Sequence, residues 1–204
     1  MENTPKIAEI CDDEVKESII IDIFKSFIRD GNKFVRLGTL ELFGKFLIVL
    51  PKKCLNDFIL DFYLSSVNHC YNKNNIIVQN SIDNDASYYC AYNFPAVLFC
   101  YGVEQWEVLK PTYFMLENDN SNENVQNSLA CSLASLSNIL KNDITEKDLM
   151  PVLDKFLILN QTTINYSLES LHIILRNVGI NYRYKYLDGI LKYAVRINCL
   201  YDIS

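Results

Sequence analysis

VQNSLACSLASLSNIL, residues 125–140, and INYSLESLHIILRNVG, residues 164–179, are two versions of one pattern at an offset of 39. The apolar positions are Val125, Leu129, Leu133, Leu136 and Leu140 in the first, and Ile164, Leu168, Leu171, Ile174 and Val178 in the second. Spacings of three and four place each set on one face of a helix. The segments ahead of them match as well. Leu109-Lys110-Pro111 precedes one and Leu149-Met150-Pro151 the other, at an offset of 40. Each opens a shorter apolar pattern, with Tyr113 and Leu116 in one and Leu153 and Phe156 in the other.

A recurring unit of about 40 residues made of two antiparallel helices has the size of a HEAT-type repeat. Thr145-Glu146-Lys147-Asp148 reads as a capping-box-like start for one of the shorter helices, and Pro151 then falls within its early turns. Toward the amino end, Val15, Ile19, Ile23 and Phe27 make another stripe, broken at Asp30-Gly31-Asn32. A second helix from about Lys33 carries Val35, Leu42, Phe46 and Leu50 inward and stops at Pro51. A further one runs from about Lys52 through Leu55, Ile59 and Phe62 to Val67. The Asn-rich stretch 69–84 reads as a loop.

Between that loop and Trp106 lies YYCAYNFPAVLFCYG, residues 88–102, without a formal charge. By elimination it is the second helix of the second unit, apolar nearly all round and kinked at Pro95. The alternative is that Pro95 starts a new short helix and residues 88–93 form a separate turn. Residues 182–198 form a last helical stripe, which would close the stack as a terminal cap. The expected fold is therefore all-α: a right-handed α-α superhelix, a HEAT/armadillo-like solenoid of about four repeats plus a capping helix. The chain reads as a single repeat domain, 1–204, with units 13–50, 52–102, 104–140 and 145–178.

Composition narrows the function. Half of the 204 residues are apolar, enough for a sizeable core, while six glycines and five prolines are few for an all-β fold. Net charge is −6, with no basic block to follow a phosphate backbone, so nucleic acid is not an expected partner. No apolar stretch reaches the roughly 20 residues of a membrane helix. The acidic start MENTPKIAEICDDE lacks a secretory pattern, and seven cysteines without a Cys-x-x-Cys pair suit reduced thiols. A cytoplasmic or nuclear location is expected.

Catalytic groups are sparse. His69 and His172 are the two histidines, and their surroundings in sequence offer neither a Cys–His nucleophile pair nor zinc-ligand spacing. No glycine-rich phosphate loop occurs. The chain reads as a non-enzyme without metal or cofactor. What remains is a row of interhelical turns, which successive repeats present as one ridge. Its members are Asp30, Asn32 and Arg36 in the first unit, Asp119 and Asn120 in the third, and Asn160 in the fourth. These are the candidate partner-binding residues. Trp106, the single tryptophan, is either a packing anchor or a binding hot spot. The acidic Asp83, Asp85 and Glu117 read as solvated caps or turns.

One stretch is more distinctive than repeat patterning. Tyr89 to Leu98, with Asn93-Phe94-Pro95-Ala96-Val97 at its centre, is followed by Gly102, Trp106 and Leu109, then Ser128-Leu129-Ala130, Leu136, Leu140 and Asp148 to Leu157. This sequence resembles the protein phosphatase 4 regulatory subunit 1 family, HEAT-repeat scaffolds related to the scaffold subunit of protein phosphatase 2A. The resemblance implies a non-catalytic subunit that binds a serine/threonine protein phosphatase catalytic subunit, of type 4 or type 2A-like, and influences substrate choice. It implies a structural role for Asn93, Phe94, Pro95, Ala96 and Val97. The alternative expectation is a HEAT-type transport or trafficking adaptor that binds cargo peptides.

Overall fold

The computed structural model describes residues 3–71, 81–119 and 122–188. Every regular element among them is helical, as the repeat required. In order they are α1 (Thr4–Ile10), α2 (Asp13–Val15), α3 (Ile21–Ile28), α4 (Lys33–Glu41), α5 (Phe43–Val49), α6 (Asp57–Tyr71), α7 (Ser81–Tyr101), α8 (Trp106–Glu117), α9 (Glu123–Ile144), α10 (Met150–Phe156) and α11 (Gln161–Arg176). Residues 180–188 are helical as well. The fold is an all-α helical repeat. The chain forms two compact units, Met1–Ser132 and Leu133–Ser204.

In the first unit α7 is the hub, packing on α4, α5, α6 and α8. It is one continuous helix with Pro95 inside it, so the two-piece alternative does not hold. It ends at Gly102, whose φ of +88° is cheap for glycine and costly for any residue with a Cβ. The expectation of an all-round buried helix is corrected. Cys90, Ala91, Phe94, Val97 and Leu98 are buried, but Tyr92 is 54% and Phe99 66% exposed. An uncharged surface can be solvent-facing when the residues are tyrosine and phenylalanine, and composition does not distinguish the two cases.

The hub is locked by Asn93, which is 2% exposed. The expected second helix of the first unit is broken at Leu42, with φ −92° and ψ 1°, into α4 and α5. An unbroken helix would join Gly44 N–H to the Leu40 carbonyl. Here the Asn93 carboxamide serves both groups. Its Oδ1 accepts from Gly44 N at 2.8 Å and its Nδ2 donates to Leu40 O at 2.7 Å. The same Nδ2 donates to Tyr89 O on its own helix at 2.7 Å. The side chain is inserted into the hydrogen-bond ladder of its neighbour, a recognised cause of helix kinks. It fits because residue 44 is glycine. A Cβ there would lie 2.6 Å from Asn93 Oδ1 and 3.0 Å from the Ala96 Cβ.

Around this bond runs a chain of buried rings. Phe24 stacks on Phe46 with centroids 3.9 Å apart, Phe43 on Tyr63 at 5.6 Å, and Phe94 meets Tyr113 at 5.1 Å and Trp106 edge-on at 6.3 Å. The Tyr63 hydroxyl donates to Cys90 O at 2.7 Å, satisfying its one polar group. The first stripe is shifted from its expected face. Ile20, Ile21 and Phe24 are buried, whereas Ile19 and Ile23 are exposed. A π turn at Lys16–Ile20 adds a residue to the helix and rotates the turns after it, and isoleucines at 19, 20, 21 and 23 leave the sequence no basis for choosing a face. Likewise the helix expected from Lys52 is a 3₁₀ turn, Lys52–Cys54, followed by α6 from Asp57.

In the second unit the internal repeat has a direct signature. Asn138 and Asn177 occupy equivalent places at the offset of 39, and they touch: Asn177 Nδ2 donates to Asn138 Oδ1 at 2.7 Å and to Ser137 Oγ at 3.1 Å. The stripe on α11 needs correction. Leu168 is 46% exposed, and the buried face carries Thr163, Ser167, Ser170, Leu171 and Ile174. Ser167 Oγ bonds the Thr163 carbonyl at 2.8 Å, so a polar residue is accommodated at no hydrogen-bond cost. Thr145 is not a cap. It is fully buried, within the π turn Thr145–Leu149, and its hydroxyl points to Ser137 O at 3.5 Å. The true break is at Lys141, where φ +58° and ψ −165° place a lysine in glycine's territory, a local cost of about 1–3 kcal/mol. The π turn runs straight into Pro151, and its looser winding gives room to a ring that would clash with the carbonyl four residues back. Helical residues 180–188 are tied to α10 by Asp154, which accepts from the Tyr186 hydroxyl and pairs with Lys185 at 3.1 Å.

The expected loop 69–84 begins and ends as helix, α6 reaching Tyr71 and α7 starting at Ser81, and its centre lies outside the described residues. The end of the expected capping helix, 189–198, lies outside them too.

Replacing Asn93 with alanine leaves two buried main-chain groups without their partner. Asn93→Ala should lower unfolding stability by about 2–4 kcal/mol in urea titrations. A loss below about 0.5 kcal/mol would mean the bridge is dispensable.

Candidate functional site

The described residues contain no group of three or more His, Cys, Asp or Glu side chains able to hold a metal ion. No described helix is long and apolar enough to cross a membrane. The titratable groups most displaced from their ordinary values are buried phenols and thiols, all moved away from reactivity. Burial keeps the Tyr63 and Tyr113 hydroxyls protonated well above the usual range and pushes the Cys100 thiol up to about 11, against the opposing charge of Lys52. His172 is exposed, with Nδ1 3.0 Å from the Glu169 carbonyl one turn back.

The turn residues are structural first. Asn32 caps α4, its Oδ1 accepting from Phe34 N at 2.9 Å. Asp30 Oδ1 accepts from Asn32 N at 2.7 Å. Arg36 folds back, its Nη1 donating to Asp30 O at 2.6 Å and Gly31 O at 3.1 Å. These three candidates are brought together as one self-closing turn, and the Arg36 guanidinium is engaged within it. Asn160 caps α11, accepting from Thr163 N at 2.9 Å and Thr163 Oγ1 at 3.1 Å. It belongs to the second unit, the others to the first. The Asp119 carbonyl accepts from Gln126 Nε2 at 2.8 Å, which fastens the α8–α9 turn. Asn120 lies outside the described residues.

Trp106 is settled by burial. It is 1% exposed, with Tyr113 5.8 Å away and Phe94 6.3 Å away between ring centroids, so it anchors the core and offers no surface to a partner. Glu117 is likewise a correction. It ends α8 and is buried instead of standing in a solvated turn. Asp85 lies on α7, not in a loop, and is exposed.

The motif residues divide by depth. Asn93, Phe94 and Val97 are buried, while Pro95 and Ala96 are half-buried. Asn93 bonds the neighbouring backbone and Phe94 joins the ring chain, so this stretch is held by packing. The exposed side of the same helix carries a group that the apolar pattern does not single out. Tyr88, Tyr89 and Tyr92 cluster there, with Tyr88 5.4 Å from Tyr89 and 6.1 Å from Tyr92 between centroids. Tyrosines one and four residues apart near a helix start are the signal that sequence offers for it.

Three curated proteins, from Homo sapiens, Mus musculus and Rattus norvegicus, match 119 residues of this chain at 32% identity. The chain is similar to serine/threonine-protein phosphatase 4 regulatory subunit 1. The likeness expected from the sequence is borne out. It covers 58% of this chain but 12% of each regulatory subunit 1, so the chain corresponds to a small part of those proteins. No family model matches the chain, and no solved structure does.

Tyr113 supplies a check on the core of this region. Its hydroxyl is buried and has no hydrogen-bond partner among the described residues. Tyr113→Phe removes an unsatisfied polar atom and keeps the ring, so stability should hold or rise by about 1 kcal/mol. A clear fall in the thermal midpoint would reveal a hidden partner for that oxygen.

Proposed function

We propose that this chain is a non-catalytic regulatory or scaffold subunit that binds a serine/threonine protein phosphatase catalytic subunit, of type 4 or 2A-like, and influences its substrate choice. The observation that carries the reading is the likeness to phosphatase 4 regulatory subunit 1 over more than half of the chain. The structure supports it in two ways. The described residues form a helical repeat, an architecture built for extended protein contacts. Their buried thiols and phenols are held protonated, which suits packing and not chemistry.

Binding would act through surface not consumed by folding. In the first unit the exposed side chains of α4, α5 and α7 include Phe34, Ile48, Tyr92 and Phe99. Large apolar side chains at the surface mark protein contact when they gather into a patch. The self-closed turn at Asp30–Arg36 adds polar contacts on the same unit, and the Asn160 turn is a separate candidate contact on the second unit. A HEAT-type scaffold working in the cytoplasm or nucleus fits this reading.

The test is direct association. The purified chain, mixed with a purified phosphatase 4-type catalytic subunit at low salt, should co-elute with it in size-exclusion chromatography and change its rate on a phosphoprotein more than on a small aryl phosphate. Separate elution at micromolar concentrations of both would count against the proposal.

A further inference from the structure

The exposed side of α7 near its start carries an arrangement that the core does not need. Tyr88, Tyr89 and Tyr92 stand together, with ring centroids 5.4 Å apart for Tyr88–Tyr89 and 6.1 Å for Tyr88–Tyr92, at mutual tilts of 50° and 36°. Tyr92 is solvent-facing and the other two are half-buried, so part of each ring is open to solvent. Asp85 lies one turn before Tyr88 and Tyr89 and is exposed. Glu41, at the end of α4, is exposed, and α4 packs against α7. Burial first, then the charges of Glu41 and Asp85, raise the Tyr89 hydroxyl above its usual value, which places both carboxylates within electrostatic reach of the same ring. Among the described residues neither carboxylate is in an ion pair. Lys45, four residues after Glu41, makes none either.

Three aromatic faces beside two carboxylates that form no ion pair among the described residues are complementary to a planar cation. We propose that Tyr88, Tyr89, Tyr92, Asp85 and Glu41 form a docking site for an arginine side chain carried on a segment of a partner protein. The guanidinium stacks on tyrosine, with the ring quadrupole attracting the charge, and its forked N–H groups reach the carboxylates. Arginine fits better than lysine because a compact, strongly hydrated ammonium gains less from stacking. The apolar track continues from the site. Phe99 lies seven residues after Tyr92, on the same face of α7, and is 66% exposed. A partner segment with an apolar residue following its arginine would cover it. The site stands independently of the phosphatase reading, since it rests on the chain's own charges and rings.

The experiment uses the full chain with ¹³C-labelled tyrosine and a blocked Ala-Arg-Ala tripeptide as probe, with blocked Ala-norleucine-Ala as the apolar control. The arginine peptide should move the ring signals of Tyr88 and Tyr92 at millimolar concentration, and added salt should weaken the response. The norleucine peptide should leave them in place. Tyr92→Ala and Asp85→Asn each alter an exposed side chain, so thermal midpoints should be unchanged while affinity falls about tenfold. Equal shifts from both peptides, no shift from the arginine peptide, or undiminished binding by the folded variants would overturn the proposal. Because no phosphatase is present, failure here leaves the co-elution result free to stand or fall by itself.

Discussion

One buried carboxamide organises the first unit. Asn93 occupies the place of a helical hydrogen bond between Leu40 and Gly44, and the neighbouring helix bends at Leu42 around it. The arrangement constrains three positions at once. Residue 93 needs a donor and an acceptor on one short side chain, which an aspartate or leucine lacks. Residue 44 needs to lack a Cβ. Residue 96 needs to be small, since its Cβ already approaches that of a hypothetical side chain at 44. With α7 seated this way, Phe94 reaches Trp106 and Tyr113 on the next helix, and Tyr63 reaches the Cys90 carbonyl. The cost of burying an amide is offset because each of its polar atoms is bonded.

The Asn-Phe-Pro-Ala-Val stretch is a packing device in this chain, bonded to the neighbouring backbone through Asn93 and joined to the ring chain through Phe94. The surface is free to differ. Asn32 and Asn160 are held by capping bonds to their own helices and Arg36 by bonds to the carbonyls of the turn before its helix, so their identity follows from local structure as well as from any partner. The tyrosine group at the start of α7 has no such local duty. Its rings are tilted to one another, its carboxylates form no ion pair among the described residues, and its position is fixed by the same helix that Asn93 locks.

The helical repeat was legible because its signal is redundant: apolar residues return every three or four positions across whole segments, and the stripes beginning at 125 and 164 follow the same helical spacing. Faces were harder to read. Four isoleucines among residues 19–23 describe no unique stripe, and a π turn decided between them. On α11 the buried positions are hydroxyls bonded to their own helix, so a count of apolar residues selected Leu168 over Ser167. The break at Leu42 carries no proline or glycine at the break itself; its cause is a side chain 51 positions further along, and no local reading contains that information. The tyrosine site was hidden by an assumption that uncharged means buried. Exposed aromatic rings violate that rule where a surface has a use beyond solubility.

The central claim is that Asn93 and Gly44 act as one unit. A double-mutant cycle tests it. Gly44→Ala drives a Cβ against the Asn93 amide, and Asn93→Ala removes that obstacle along with the bridge. The double variant should therefore lose less stability than the two single losses summed, by about 1–3 kcal/mol. Additive losses would contradict the account, because they would show that the glycine and the asparagine stabilise the fold separately.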